Sequence, residues 1–222
     1  MTEPVTDSVI ERAPLRGLYF VTPAPPPGAD PLPAHTGAAA AALAGGACCV
    51  QLRDKYLEGE EQETVARALA GQCRESGALF IVNDDVELAA RIGADGVHLG
   101  RDDPDPAGAR ARLGDAAVIG VSCYNELARA RAAQAAGADY VAFGSMFPSP
   151  TKPEAVRATP ELIRQARREL TVAICAIGGI TADNAAQVVA AGADMVAVIQ
   201  GISATPDPEA AARRIATLFQ TT

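Results

Sequence analysis

The chain has 222 residues, 49% hydrophobic and 21% charged, a globular balance long enough for one substantial core. Its 27 acidic side chains outnumber 19 basic ones, and the net charge of −8 argues against nucleic acid or an anionic membrane as the main partner. Arginine supplies almost all the positive charge; the only lysines are Lys55 and Lys152.

Residues 1–15 show no period and read as a loose tail, without the basic start and apolar core of a signal peptide. One domain is expected over residues 16–222. The apolar run Leu18–Thr22 is followed by Pro23–Pro33, whose six prolines suggest a stiff loop, a lid edge or a plain surface insertion. Gly37–Val50 is apolar for 14 residues, too short and too rich in Ala and Gly to span a membrane. The remaining runs are Cys48–Arg53, Leu79–Asp84, Gly96–Leu99, Val118–Cys123, Tyr140–Ser145, Val172–Ile180 and Met195–Ile202. Most are continuously apolar, which suits parallel strands covered on both faces. Between them lie Ala-rich helical stretches. Gly93-Ala94-Asp95, Gly137-Ala138-Asp139 and Gly192-Ala193-Asp194 each close such a stretch before a strand, where glycine ends a helix in the left-handed region. The repeated unit is helix, glycine stop, strand. Eight units predict an α/β fold of the (β/α)8 TIM-barrel type, a single compact domain with tight loops. A doubly wound open sheet is the structural alternative.

Five cysteines without a Cys-x-x-Cys pair fit buried free thiols and a reduced, cytoplasmic setting. With two histidines, no His-rich zinc site can be built. His98 reads as a hydrogen-bonded interior residue and His35 as a surface residue.

In this architecture chemistry sits where strands end. The second run ends Gln51-Leu52-Arg53-Asp54-Lys55, and period two puts Gln51, Arg53 and Lys55 on one face as an anion site. Asn83-Asp84-Asp85 ends the third run, and Arg101-Asp102-Asp103 follows the fourth. Carboxylates at neighbouring strand ends converge beside the anion site, which points to Mg²⁺ at Asp84 and Asp103. Asp85 and Asp102 are expected to be helix N-caps. Ser122, in Gly120-Val121-Ser122, resembles half a nucleophile elbow, but no histidine is evidently placed to activate it, so a ligand hydrogen bond is expected. Ser149-Pro150-Thr151-Lys152 puts two hydroxyls and a cation on a proline-stiffened loop after the sixth run. Gly178-Gly179 and Ile199-Gln200-Gly201 end the last two runs, at the usual phosphate cradle of the fold. Two anion sites, one with metal carboxylates, suit a magnesium-chelated diphosphate leaving group beside a phosphorylated nucleophile.

The motifs Gln51-Leu52-Arg53-Asp54-Lys55, Asn83-Asp84-Asp85, His98-Leu99-Gly100 with Asp103, Ser149-Pro150-Thr151-Lys152 and Ala176-Ile177-Gly178-Gly179-Ile180 resemble the thiamin-phosphate synthase family, in order over most of the chain. The resemblance implies that hydroxymethylpyrimidine diphosphate ionises to a carbocation and pyrophosphate, and that the nitrogen of thiazole phosphate attacks the cation. It implies small-molecule substrates, no nucleic acid and no membrane, and leaves a homo-oligomer open. Gln51, Arg53, Lys55, Asn83, Ser122 and Lys152 would hold the pyrimidine diphosphate, with Lys55, Arg53, Lys152 and Ser122 as the catalytic set. Asp84 and Asp103 would carry Mg²⁺; Ser149, Thr151, Gly179, Ile199 and Gln200 would hold the thiazole phosphate. The chain departs from the family pattern at Gln200 (usually serine), Arg101 (usually glutamine), Ser149 (usually threonine), Tyr124 (often histidine) and Pro23 (usually an acid). The rival expectations are a thiazole tautomerase, which handles no diphosphate, and a non-catalytic thiazole-phosphate-binding regulator, which Gln200 and Arg101 would favour.

Overall fold

The computed structural model describes residues 15–148 and 156–220. The expected tail lies outside these residues except for Leu15, and so do Ser149, Thr151 and Lys152. Eight parallel strands pair in sequence order and close on themselves: β1 (Gly17–Val21), β2 (Ala47–Leu52), β3 (Leu79–Asn83), β4 (Gly96–Leu99), β5 (Val118–Tyr124), β6 (Tyr140–Phe143), β7 (Ala173–Ile177) and β8 (Met195–Val198). Helices α1 (Pro31–Ala44), α2 (Gly59–Ser76), α3 (Val86–Ile92), α4 (Pro106–Leu113), α5 (Leu127–Ala135), α6 (Pro160–Glu169) and α7 (Ala185–Ala190) return the chain between strands. The short α8 (Gln200–Ser203) and then α9 (Pro208–Ala216) follow β8. The barrel is the expected one, and the open sheet is excluded.

Continuous apolar runs are explained by two separate cores. Tyr19, Val21, Cys49, Ile81, Val118, Tyr140, Ala142, Cys175, Met195 and Ala197 cluster inside the barrel. Their strand neighbours, such as Leu18, Phe20, Val50, Phe80, Val82 and Ile119, pack instead against the helices. Side chains alternate between the two faces, and both faces are dry.

Helix starts obey simple chemistry. Asp30, Asp85, Asp105, Thr159 and Asp207 accept backbone N–H groups two or three residues on, each cap worth about 1 kcal/mol. Pro31, Pro106, Pro160 and Pro208 follow four of these caps, at the position where a missing N–H costs nothing. Asp85 is thus the cap expected, but the cap of α4 is Asp105 rather than Asp102. The proline-rich stretch is also shorter as a loop than its composition suggests, because α1 begins at Pro31.

The Gly-Ala-Asp repeat has a use beyond its glycines. Gly93, Gly137 and Gly192 take φ of 66, 89 and 105°, the left-handed stops expected. The aspartates that follow stitch the N-terminal end of the barrel. Oδ2 of Asp95 accepts Phe80 N at 2.7 Å, that of Asp139 accepts Ile119 N at 2.7 Å, and that of Asp194 accepts Ile174 N at 2.8 Å. Arg110 donates to the Asp139 carboxylate and Arg167 to that of Asp194, both at 2.6 Å.

Three expectations fail here for physical reasons. The last apolar run is only half strand: β8 stops at Val198, and Ile202 stays buried because α8 presents it to the core. Period two does not reach Lys55, since β2 ends at Leu52 and Arg53 to Lys55 lie in the loop beyond. His35 is not at the surface. It is 1% exposed on the inner side of α1, and its Nε2 lies 2.9 Å from Asp54 Oδ2.

Candidate active site at the C-terminal end of the barrel

Gln51 is the last inward residue of β2 and is buried, its Nε2 donating to Tyr19 Oη at 2.6 Å. Arg53 follows at the strand end, its backbone N–H donating to the buried Thr22 hydroxyl at 3.0 Å. Asp54 accepts the N–H groups of Tyr56 and Leu57 through Oδ1 while its other oxygen meets His35. The loop bearing exposed Lys55 is therefore tied to α1, a connection hidden when His35 is taken as a surface residue.

The two proposed metal carboxylates do come together. Asp84, just past Asn83 at the end of β3, takes φ of 63°, a conformation that non-glycine residues adopt reluctantly, and its N–H donates to His98 O at 2.9 Å. Oδ2 of Asp103 accepts Gly100 N at 2.6 Å, which aims the carboxyl back at β4. A Cβ on Gly100 would lie 3.0 Å from Asp103 Oδ2 and 4.0 Å from Asp84 Oδ1, so one glycine opens onto both carboxyls. Partial burial, and then the neighbouring Asp103 carboxyl, push the Asp84 pKa up to about 6, against the pull of Asn83 and Arg53. Two carboxylates held against their mutual repulsion beside a guanidinium suit a divalent cation shared with an anionic ligand. Among the described residues no group of three or more His, Cys, Asp and Glu is gathered for a metal. A two-carboxylate site fits Mg²⁺, which takes its remaining oxygens from phosphate and water.

Ser122 corrects one expectation and supports another. A histidine does reach it: His98 Nε2 lies 2.8 Å from Ser122 Oγ. The arrangement is still no catalytic triad, because His98 Nδ1 meets the Tyr140 hydroxyl at 2.9 Å and not a carboxylate. Burial pushes the His98 pKa down to about 4, so the ring is neutral near pH 7. His98 is the hydrogen-bonded interior residue expected.

The opposite side of the mouth is built from loops in close contact. Met146 N and Phe147 N donate to Ile177 O and Gly178 O at 3.0 and 2.9 Å. Gly179, at φ 63°, has room for no side chain: a Cβ would fall 2.5 Å from Pro148 O. One on Gly201 would fall 2.1 Å from Ile180 O. The glycines therefore let the loops after β6, β7 and β8 meet, with Gly179 against Pro148 and Gly201 of α8 against Ile180.

Two departures from the family pattern prove to be partners. The Arg101 guanidinium stands 4.9 Å from the centroid of the Tyr124 ring and pairs with Glu126, outside the Asp84–Asp103 pair. Arg129, not singled out by sequence, donates to Ser122 O at 2.7 Å and to Gly100 O at 2.8 Å, tying the ends of β4 and β5 together. Its signal is absent from sequence because an arginine on a helix reads as ordinary surface charge.

Comparison with known proteins identifies the family. The family profile described as thiamine monophosphate synthase matches residues 18–202. The chain is 58% identical to thiamine-phosphate synthase of Thioalkalivibrio sulfidiphilus, over 93% of this chain and 96% of that one. It is 52% identical to that of Halorhodospira halophila, over 93% and 95%. Among solved structures, thiamine phosphate pyrophosphorylase from Pyrococcus furiosus superposes with a TM-score of 0.82 at 32% identity, covering 93% of this chain and 96% of that one. A 3-hexulose-6-phosphate synthase from Salmonella typhimurium, at 19% identity and TM-score 0.68, shares the fold. By sequence and by barrel, the chain belongs to the thiamine monophosphate synthase family.

Proposed function

We propose that the barrel mouth is the active site of a thiamine-phosphate synthase, transferring hydroxymethylpyrimidine from its diphosphate to the nitrogen of thiazole phosphate with release of pyrophosphate. The observation that carries the reading is the Asp84–Asp103 pair beside Arg53, set in a chain of this family. The C–O bond to the diphosphate breaks, its electron pair leaves on pyrophosphate, and the thiazole nitrogen lone pair forms the new C–N bond. Arg53, Lys55 and Lys152 stabilise the charge that develops on the leaving group, and Gln51, Asn83 and Ser122 orient the pyrimidine. Asp84 and Asp103 would hold Mg²⁺, which supplies further neutralisation of the diphosphate. Ser149, Thr151, Gly179, Ile199 and Gln200 hold the thiazole phosphate, Gln200 through its backbone. The neutral His98 and the lack of an orienting carboxylate agree with a reaction that needs no covalent intermediate. No helix among the described residues is long and apolar enough to cross a membrane. With four of five free cysteines buried, the reading places the enzyme in a reduced cytoplasm.

A tautomerase or a regulator has little use for two opposed carboxylates next to a cation, and the family match does not favour either. Pyrophosphate release by the purified protein separates the synthase from both. Release is expected only when both substrates and Mg²⁺ are present; retained thiazole-phosphate binding with no release above background would overturn the synthase reading.

A further inference from the structure

The barrel interior carries a continuous polar chain. It runs from Gln51 Nε2 to Tyr19 Oη (2.6 Å), to Tyr140 Oη (2.9 Å), to His98 Nδ1 (2.9 Å) and from His98 Nε2 to Ser122 Oγ (2.8 Å). It joins five strands, β2, β1, β6, β4 and β5. Gln51, Tyr19 and Tyr140 are 3%, 1% and 1% exposed, so water cannot readily replace a lost partner. The site is built for the chain. The Tyr140 ring fills space where a Cβ on Gly120 would lie 1.9 Å from its Cζ, and it stacks on His98 with centroids 5.6 Å apart.

Each tyrosine has one hydroxyl proton, and that fixes a direction. The Gln51 amide nitrogen can only donate, so Tyr19 accepts from it and passes its own proton to Tyr140. Tyr140 then donates to His98 Nδ1, which must be the unprotonated nitrogen of a neutral ring. Nε2 carries the proton and donates to Ser122 Oγ. With its oxygen engaged as an acceptor, Ser122 keeps its own proton for a ligand at the mouth.

We propose that Tyr19, Tyr140 and His98 are positioning residues that relay the donor direction set at Gln51 across the barrel, so that Ser122 meets the substrate as a hydrogen-bond donor to an acceptor such as a heteroaromatic ring nitrogen. The inference rests on the reading that Gln51 and Ser122 face the pyrimidine. The relay also makes the two residues interdependent, although they stand on strands separated by β3 and β4 and share no direct bond. A change in the middle of the chain then alters substrate binding without touching substrate.

The test is ¹⁵N NMR of the imidazoles in the substrate-free protein, where only two histidines occur. His98 is expected as the Nε2–H tautomer in the wild type. In Tyr140→Phe, which keeps the ring that fills the space at Gly120, that preference should be lost. The same variant should raise KM for the pyrimidine diphosphate about tenfold, the worth of one good hydrogen bond, and leave KM for thiazole phosphate unchanged. An Nδ1–H tautomer in the wild type, or an unaltered tautomer and KM in Tyr140→Phe, would overturn the relay. The wild-type spectrum decides this without any variant having to fold. Failure of the functional reading is separately visible, as absence of turnover by a wild type whose tautomer is the one expected.

Discussion

Both ends of the barrel carry aspartates, and the two ends use them in opposite ways. At the N-terminal end Asp95, Asp139 and Asp194 each accept a strand N–H, and two of them also meet an arginine. At the C-terminal end Asp84 and Asp103 face each other, and Asp84 sits at a φ that costs energy. The first set satisfies every carboxylate it buries and holds the strands in register. The second leaves two carboxylates only partly compensated, by Arg53, Asn83 and Gly100 N, where a cation and an anionic ligand would meet. Local rules are kept at the end that only holds strands in register and broken at the end proposed to bind.

The contrast can be broken most forcefully at the upper end. The pair Asp84→Asn/Asp103→Asn is expected to lower turnover by at least about a hundredfold and to shift the Mg²⁺ requirement upward, measured as pyrophosphate release against Mg²⁺ concentration. Stability should move the other way. The Asp84 pKa is raised in the fold, from 3.8 to about 6, so its favourable contribution is complete below about 3.8 and lost as pH rises through about 6. Without metal, Asp84→Asn should therefore melt higher than wild type at pH 8 and no higher at pH 3.5. A lower melting point at pH 8 would show that the strain has been misplaced.

The lower end should give the mirror result. Asp139→Ala strips a partner from Ile119 N and from Arg110, and is expected to cost about 2–3 kcal/mol in denaturant unfolding. Turnover at a temperature where the variant stays folded should be near that of wild type. A loss of turnover matching that of the Asp84 variant would erase the distinction between the ends.

A smaller effect sharpens the upper end. Protons compete with Mg²⁺ for Asp84, so apparent Mg²⁺ affinity should fall as pH drops through about 6, by about tenfold per unit below it. Titration calorimetry across that range would show it, and a flat profile would detach Asp84 from the metal. The smallest effect is at a cap. Asp105→Ala should cost about 1 kcal/mol of stability, while Asp102→Ala should cost next to nothing, since Asp105 and not Asp102 caps α4.

The barrel was legible because its strands are dry on both faces and its glycine stops recur before them. The grouping of the candidate site was legible in part because strand ends in this fold point to one place, and the structure does bring Asp84 and Asp103 together beside Arg53. What stayed hidden was contact across the barrel. His98 meets Tyr140 and Ser122 at sequence separations of 42 and 24, and neither spacing carries a helix or strand period. His35 reads as a surface residue in sequence, yet α1 turns it inward to Asp54. Arg101 and Tyr124 each looked like an isolated departure until the fold laid one over the other. The expectation that Lys152 shares the pocket with Lys55 falls on a residue outside those described.

The most direct measurement of the central claim is pyrophosphate binding to the wild type, with Mg²⁺ and with a chelator in its place. The paired carboxylates predict that Mg²⁺ tightens binding by at least about tenfold and that Asp84→Asn/Asp103→Asn abolishes the difference. Equal affinity with and without the metal would contradict the account.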